Sequence, residues 1–559
     1  MLSNKEINWN VETDVVVVGS GGTALTSAIL AHDQGAKVIV LEKADQIGGT
    51  TAFSGGIPWI PMNRYMAEIG VEDSKEDAKK YLDHITYGKA PDPELVDVFI
   101  EEGRKMIDYL HDHTPVRFKV PRFYGDYYAN LEGGKREGRS LDPLPFELAQ
   151  IGEWADKLRR HPIFPPLTLE EGGAGDPTKA DFNLIAERME NNIATMGRSL
   201  VGALLKACLD RGIEIITETP AKELIQNDHG EIVGVRAEQH GKSIYFAARK
   251  GVVIASGGFE WNKQLVRTFL KGEVTHPMSP PGNEGDGLIM AMEAGAALGN
   301  MSEAWWSPAM VDPTIEYQGH VFNQTGSGRG LAHSIIVNKH GKRFVNEGAT
   351  YMDMPKSFYA HDAVTQSLPN EGPVWLVFDR NLKDNKLILT MAPGEDAPDW
   401  VPQAESIREL AEMIGVDADG LEATVKRFNE NAKNLEDPDF HRGTQYFEQM
   451  LAGFQGPQGN IGPIEDGPFY ALPIYSGALG TNGGPRINEH GQVISLRGEL
   501  IPGLYAAGNA AMGVLGPAYP GAGGTIGPAL TFGYLAGIAV GKAEDKDFGG
   551  NSPVELTIA

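Results

Sequence analysis

Residues 14–43 read DVVVVGSGGTALTSAILAHDQGAKVIVLEK, and the fold follows from them. From Asp14 the chain runs through consecutive valines to Val18, the pattern of a parallel strand covered on both faces. It continues directly into Gly19-Ser20-Gly21-Gly22-Thr23-Ala24; a helical pattern then spans Thr23 to Gln34, and Lys37 to Leu41 gives a second strand ending at Glu42. A G-x-G-x-x-A run alone says little. Set between a strand and a helix, with a carboxylate at the tip of the next strand, it is a dinucleotide fingerprint. Gly19 permits the turn, Gly21 lets a pyrophosphate approach the backbone, Gly22 and Thr23 sit where the helix opens, Ala24 allows close packing, and Glu42 can accept from both ribose hydroxyls.

A free carboxylate at Glu42 would repel a 2′-phosphate, which disfavours NADP and leaves NAD or FAD. The following loop decides for FAD. Lys43 to Gly56 reads KADQIGGTTAFSGG, with Gly48-Gly49 and Gly55-Gly56 flanking Thr50, Thr51 and Ser54. Such a loop can lie flat against a large planar ring and donate hydrogen bonds to it, as an isoalloxazine requires.

A chain of 559 residues is too long for one core and implies several domains. Lys+Arg 49 against Asp+Glu 75 gives a net charge of −26, which repels nucleic acid and anionic lipid, so no nucleic-acid partner is expected. No apolar run has the length of a transmembrane segment, and the start MLSNKEINWNVETD lacks the apolar region of a signal peptide; a cytoplasmic location is expected. Cys208 is the only cysteine, so no intrachain disulfide and no Cys-based metal cluster can form. His333 and the other histidines show no ligand spacing, and no metal is expected.

Along the chain, residues 64 to 112 read as helices, with Asp73, Asp92 and Pro93 as start signals. Pro115 to Lys179 is rich in Pro, Gly and aromatics with weak periodicity, the composition of a lid or binding loop or else of a mobile segment. Within it, His161 to Leu167 reads as a locally packed loop or as an apolar patch for peripheral membrane contact. An amphipathic helix over Leu200 to Cys208 precedes a strand at Ile213 to Ile216 and a meander made of Lys222 to Val235 and Ser243 to Ala248. Gly251 to Ala255 is a further buried strand, ending near Gly257 and Gly258. After about Gly299 the composition shifts, with a strand at Ser334 to Asn338 and helices near Ile407 to Ile414 and Leu421 to Lys433. The expected fold class is α/β: a Rossmann-like FAD-binding domain in two parts, 1–303 and 475–559, around an inserted α+β substrate domain, 304–474.

The last part contains GLYAAGNAAMGVLGPAYPGAGGTIGPALTFGYLAGIAVG, residues 503–541. A glycine-rich loop feeding a helix from about Ile526 can point bare N–H groups at an acceptor oxygen, and Tyr519 adds a hydroxyl.

These stretches resemble the succinate dehydrogenase/fumarate reductase-type flavoproteins and, within them, the 3-ketosteroid Δ1-dehydrogenases. The likeness is carried by Asp14 to Gly56, Ile254 to Phe259, Ser334 to Glu347 and Pro463 to Gly541. Fumarate-reducing members share His-x-Thr-x-Gly-Gly, where this chain has Ala478-Leu479-Gly480-Thr481-Asn482-Gly483-Gly484, and an arginine where this chain has Tyr351. A dicarboxylate needs cationic partners, so these replacements favour a neutral substrate. Tyr519-Pro520-Gly521-Ala522-Gly523 is similar to the Tyr-x-Gly-x-Gly loop of the ketosteroid enzymes.

The resemblance implies further FAD contacts at Ala221, Gly257, Gly508, Asn509, Gly524, Thr525 and Ile526, with the helix near Thr525 directing its positive end at the flavin. It implies oxidation of a 3-ketosteroid at C1–C2. The Tyr519 hydroxyl and Gly523 N–H would polarise the ketone, and Tyr351 would take the α-proton. Tyr127, in the Asp126-Tyr127-Tyr128 cluster, would assist the base, with Tyr128 as the alternative. One nucleotide fingerprint leaves no second site for NAD as acceptor, and the family uses a quinone-like carrier. The alternative activity is a related flavoprotein acting at another ring position or reducing a conjugated double bond.

Overall fold

In the computed structural model, which describes residues 2–3, 7–172 and 180–548, the strand Val11–Val18 passes through the glycine turn into the helix Gly22–Asp33 and on to the strand Val38–Leu41. The two strands pair in parallel, Val15 opposite Val38 and Val18 opposite Leu41, and Glu214–Ile216 extends the set. On the other side, Lys242–Ile254 runs parallel to Val11–Val18, and its last residues pair with Leu500–Ala506 from the far end of the chain. Ala221–Gln226 and Ile232–Gln239 form an antiparallel edge, and with Leu2–Ser3 beside Ala221–Gln226 and Gln492–Ile494 beside Leu500–Ala506 the sheet has nine strands among the described residues. Ser243 to Ala248 and Gly251 to Ile254, separate in the sequence pattern, are one strand; a register shift between Ala248 and Gly251 joins the meander to the parallel core.

The helix Ile526–Lys542 packs on Gly22–Asp33 through small residues. A Cβ at Gly537 would lie 2.5 Å from the Ser27 carbonyl, and the Ser27 hydroxyl donates to the Gly533 carbonyl at 2.9 Å. This close contact fixes the Tyr519 loop, which leads into Ile526–Lys542, over the fingerprint turn.

Two local expectations need correction. The helix at Lys75–Ile85 starts from Ser74, not Asp73, because the Asp73 carboxylate is bonded to the Arg139 guanidinium instead. The helix Met196–Asp210 is buried on most of its circumference rather than amphipathic over Leu200 to Cys208, since it contacts both Gly22–Asp33 and Gly49–Phe53. Asp92 and Pro93 start Pro93–His113 as their chemistry predicts.

The second sheet has seven strands, with His320–Thr325, Ala304–Tyr317, Phe469–Thr481, Val374–Phe378 and Ser334–Val337 in that spatial order, all antiparallel along this path. The helices Ile407–Ile414 and Ala418–Ala432 bury its strand residues Ile335, Val337 and Ala471 on one side. Phe469–Thr481 returns the chain to the nucleotide part, where the Thr481 hydroxyl accepts from the Phe259 N–H at 3.0 Å. The segment from Pro115 forms short strand pairs, Phe118–Lys119 with Asp142–Pro143 and Phe146–Glu147 with Ile193–Ala194; its residues 173–179 lie outside the described residues. Among the described residues no helix is long and apolar enough to cross a membrane.

Candidate active site

A cavity of about 480 Å³ opens at the C-terminal ends of the parallel strands, where Val18, Leu41 and Ala255 line it. That is where ligands bind in open α/β sheets. Gly19, Gly21, Thr23, Glu42, Lys43, Gly49, Thr50, Thr51, Ser54, Gly55, Gly56, Ala221, Gly257, Asn509, Thr525 and Ile526 all face it. Gly22, Ala24, Gly48, Gly508 and Gly524 stand one layer behind. Gly22 donates its N–H to the Thr51 hydroxyl at 3.1 Å, Gly508 is pressed against Thr23, and the Gly524 N–H donates to the Gly521 carbonyl at 3.0 Å.

The wall fits a dinucleotide. At Gly19, with φ +105°, a Cβ would meet the Ala255 carbonyl at 2.5 Å, so the turn admits only glycine. At Gly21 a Cβ would find nothing closer than 3.7 Å, which leaves room for a phosphate at the helix start. Glu42 is buried; its Oε2 accepts from the Ser20 hydroxyl at 2.6 Å and its Oε1 from the Ala44 N–H at 2.8 Å, which aims the carboxylate along the cavity wall. Lys43 is held by Asp286 and Glu284 at 2.6 and 3.0 Å, which leaves its ammonium already paired.

The three tyrosines converge at this cavity. The ring centroids of Tyr127 and Tyr351 are 5.4 Å apart, those of Tyr351 and Tyr519 5.5 Å, and those of Tyr127 and Tyr519 5.8 Å. Burial pushes the Tyr127 and Tyr351 phenols well above their ordinary range, and the tyrosine cluster raises Tyr351 further. Tyr128 belongs elsewhere: its hydroxyl donates to Asp353.

Tyr519 is held by packing and by Thr525. Trp305 meets its ring edge-on at 5.5 Å and is itself fixed by an Nε1 hydrogen bond to the Asn509 side chain at 3.0 Å. The Thr525 hydroxyl donates to the Tyr519 oxygen at 3.4 Å, and the Tyr519 hydroxyl also interacts with that of Tyr351. At Gly523, φ is +97° and a Cβ would lie 2.3 Å from the Ile57 carbonyl. Its carbonyl accepts from Trp59 N–H and Gly527 N–H at 3.1 and 2.8 Å, while its own N–H takes no acceptor among the described residues.

A buried network that the sequence does not announce joins these parts. The Pro520 carbonyl accepts from the Tyr127 N–H at 3.0 Å and from the Tyr81 hydroxyl, tying the Tyr127 segment to the Tyr519 loop. Below it, Asp126 accepts from Trp59 Nε1 and Arg139 Nη1, both at 2.7 Å, and Arg139 continues to Asp73. The segment from Pro115 contributes Tyr124, Tyr127, Arg159, His161, Ile163 and Leu169 to the cavity wall. His161, stacked on Phe164 at 3.5 Å, is pushed down to about 3 by burial and stays neutral. Arg159 is also buried, and its Nε has no partner among the described residues.

A model of the FAD binding domain matches residues 14–526. The chain is 37% identical over 560 residues to the 4-oxocyclohexanecarboxylate 2-dehydrogenase of Sinomonas cyclohexanicum, covering 97% of this chain and 96% of that protein. It is 34% identical over 568 residues to the 3-oxosteroid 1-dehydrogenase of Mycolicibacterium smegmatis, covering 95% and 97% respectively. The crystal structure of 3-ketosteroid delta1-dehydrogenase from Sterolibacterium denitrificans, in complex with 1,4-androstadiene-3,17-dione, superposes with a TM-score of 0.87 at 30% identity, covering 95% of this chain and 99% of that one.

Proposed function

The chain belongs to the FAD binding domain family, alongside the 3-oxosteroid 1-dehydrogenases, and from that premise we propose that it introduces the C1–C2 double bond into a 3-ketosteroid. The observation that carries the reading is the convergence of Tyr127, Tyr351 and Tyr519 with Gly523 beside the dinucleotide wall.

The Tyr519 hydroxyl and the Gly523 N–H, the latter without an acceptor among the described residues, receive the ketone oxygen and hold the charge that grows on it as the α-carbon loses its proton. Tyr351 takes that proton. Tyr127, ring-to-ring with both other tyrosines, supports the hydroxyl of Tyr351 and offers the proton a path away from the substrate. Glu42, Gly21, Thr50 and Thr51 would hold the dinucleotide part of FAD, and Gly55, Gly56, Asn509 and Thr525, which line the same cavity, would face its ring. FAD, when bound, supplies the two-electron acceptor for the hydrogen leaving the β-carbon as hydride. A quinone-like carrier would be the final acceptor that the family resemblance implies.

Anaerobic mixing of the holoprotein with a 3-keto-4-ene steroid should bleach the flavin's visible band and yield the 1,4-diene. A band that stays unbleached with every 3-oxosteroid tried overturns the reading. A second reading, oxidation of a ring ketone that carries a carboxylate, is favoured by the likeness to the Sinomonas enzyme and by the unpaired Arg159 Nε on the cavity wall. Bleaching by 4-oxocyclohexanecarboxylate but not by steroid would select it.

A further inference from the structure

Burial raises Tyr351 and Tyr127 in the direction that keeps a phenol protonated, and so unable to accept a proton, at neutral pH. Neither tyrosine supplies a positive charge to the other, so the tyrosines alone leave the base unexplained. The missing charge is close by. Arg329 is only 5% exposed, and its Nη1 donates to the carbonyls of Glu347 and Ala349 at 3.1 and 2.5 Å. Its Nε is buried without a partner among the described residues.

Among the described residues no carboxylate pairs with it. Glu347, whose carbonyl it holds, gives its carboxylate to Arg343 and Arg442. Asp437 is paired with Arg343, Asp353 with Lys356 and Tyr128, and Asp126 with Arg139. Glu448 accepts from Asn346 and the Gly443 N–H. Its hydrogen bond to the Ala349 carbonyl instead sets the guanidinium two residues along the chain from Tyr351, with the phenols of Tyr351 and Tyr127 as the neighbouring acids. A buried guanidinium without an anionic partner is unfavourable unless an anion compensates it. Here the anion forms when a tyrosine ionises.

We propose that Arg329 is a positioning residue for proton abstraction: its buried guanidinium stabilises the negative charge that Tyr351 carries as base, and its bonds to the Glu347 and Ala349 carbonyls fix the backbone presenting Tyr351. The proposal rests on the reading of Tyr351 as base. Tyr124, Tyr127 and Tyr519 are the other titratable groups against the Tyr351 cluster, and all are phenols, so Arg329 is the cation among them.

The test is the pH profile of anaerobic flavin reduction by a 3-keto-4-ene steroid in wild type, Arg329→Gln and Arg329→Lys. Loss of a neighbouring cation should raise the apparent pKa by about one unit or more, so Arg329→Gln slows at least ~10-fold at pH 7 and recovers as the pH rises. Arg329→Lys, which keeps the charge, should stay within about half a unit of wild type. A pH-independent loss in Arg329→Gln, or a Lys variant shifted as far as Gln, overturns the proposal; if the Gln variant does not fold, the Lys variant decides alone.

A substrate-free measurement separates this from the functional reading. The near-ultraviolet tyrosinate titration that disappears in Tyr351→Phe reports the Tyr127–Tyr351 pair, and it should move to higher pH by the same shift when Arg329→Gln is combined with an otherwise native site. An unmoved titration counts against Arg329 whatever the substrate proves to be.

Discussion

The rings of Tyr351 and Tyr519 meet edge to face, centroids 5.5 Å apart and planes at 62°. The pair couples a group suited to remove a proton to a group suited to hold the ketone that makes the proton acidic. Tyr519→Phe keeps the ring, its contact with Trp305 and the shape of the cavity, and removes only the donor. Flavin reduction should slow by roughly 10²–10³-fold, about 3–4 kcal/mol, the usual effect of losing one oxyanion donor. FAD content, read from the absorbance ratio, should be unchanged; an unimpaired rate would remove Tyr519 from the chemistry.

Gly523→Ala tests the second donor by a different route. The new Cβ would lie 2.3 Å from the Ile57 carbonyl and 2.6 Å from the Trp59 nitrogen, on a backbone with φ +97°. The loop must shift, and the N–H with it. The expected result is a loss of turnover comparable to Tyr519→Phe together with a lower melting temperature, since strain at a left-handed position costs of order 1–3 kcal/mol. Turnover kept at the wild-type level would show that the Gly523 N–H does not contact the ketone.

The difference between legible and hidden parts of this site follows from the range of the interactions. The fingerprint is readable because each glycine answers a local need: the turn at Gly19 and the open approach at Gly21 depend on neighbours close in sequence or on the strand alongside. Tyr519 is readable because its loop leads straight into the helix that the fingerprint helix packs against. Asp126, Arg139 and Asp73 are not, since their pairing exists only after residues from separate loops have folded together. The same pairing displaced the helix start from Asp73 to Ser74. Arg329 offers no sequence signal at all, because what marks it, burial with an Nε that finds no partner among the described residues, exists only in space.

The raised phenols predict the pH dependence. Below the apparent pKa of the Tyr127–Tyr351 pair the ionised fraction grows about tenfold per pH unit, so the rate of anaerobic reduction should climb with pH through the neutral range. Stability has the opposite sign. A phenol whose folded pKa lies above its unfolded value favours the fold below about pH 10 and ceases to do so as the pH rises towards the folded value, because the unfolded tyrosine ionises first. Thermal melts should therefore decline above about pH 10, less steeply in Tyr127→Phe. A reduction rate flat from pH 6 to 9 would exclude a tyrosine base.

Arg139→Met isolates the buried network. Arg139 is fully buried between Asp73 and Asp126, and removing it strands two carboxylates in the interior. The expected cost is about 3–5 kcal/mol, seen as a lower denaturant midpoint. Asp126 also anchors Trp59, which supports the Gly523 carbonyl, so the surviving folded enzyme should lose turnover more than FAD. Asp126→Asn, which keeps the shape and an acceptor for Trp59, should cost less in both respects.

Arg159 decides between the two substrate readings. It stands buried on the cavity wall, with Nη1 donating to the Tyr317 hydroxyl at 2.9 Å and to the Gln318 side chain at 3.2 Å, and with Nε free. A neutral steroid has no charge for it to meet, whereas a carboxylate would make a charge-assisted hydrogen bond to it. Arg159→Gln should leave steroid-driven bleaching within about threefold of wild type, while any turnover of 4-oxocyclohexanecarboxylate should fall by roughly 10–100-fold, the loss of about 1.5–3 kcal/mol for a hydrogen bond to a charged group. Arg159→Lys should recover part of the acid's rate and none of it should be needed for the steroid. A steroid rate that collapses in Arg159→Gln with FAD retained would place this arginine against the substrate in both cases, and the apolar wall of Ile163, Leu169 and Phe322 would then orient the steroid rather than select it.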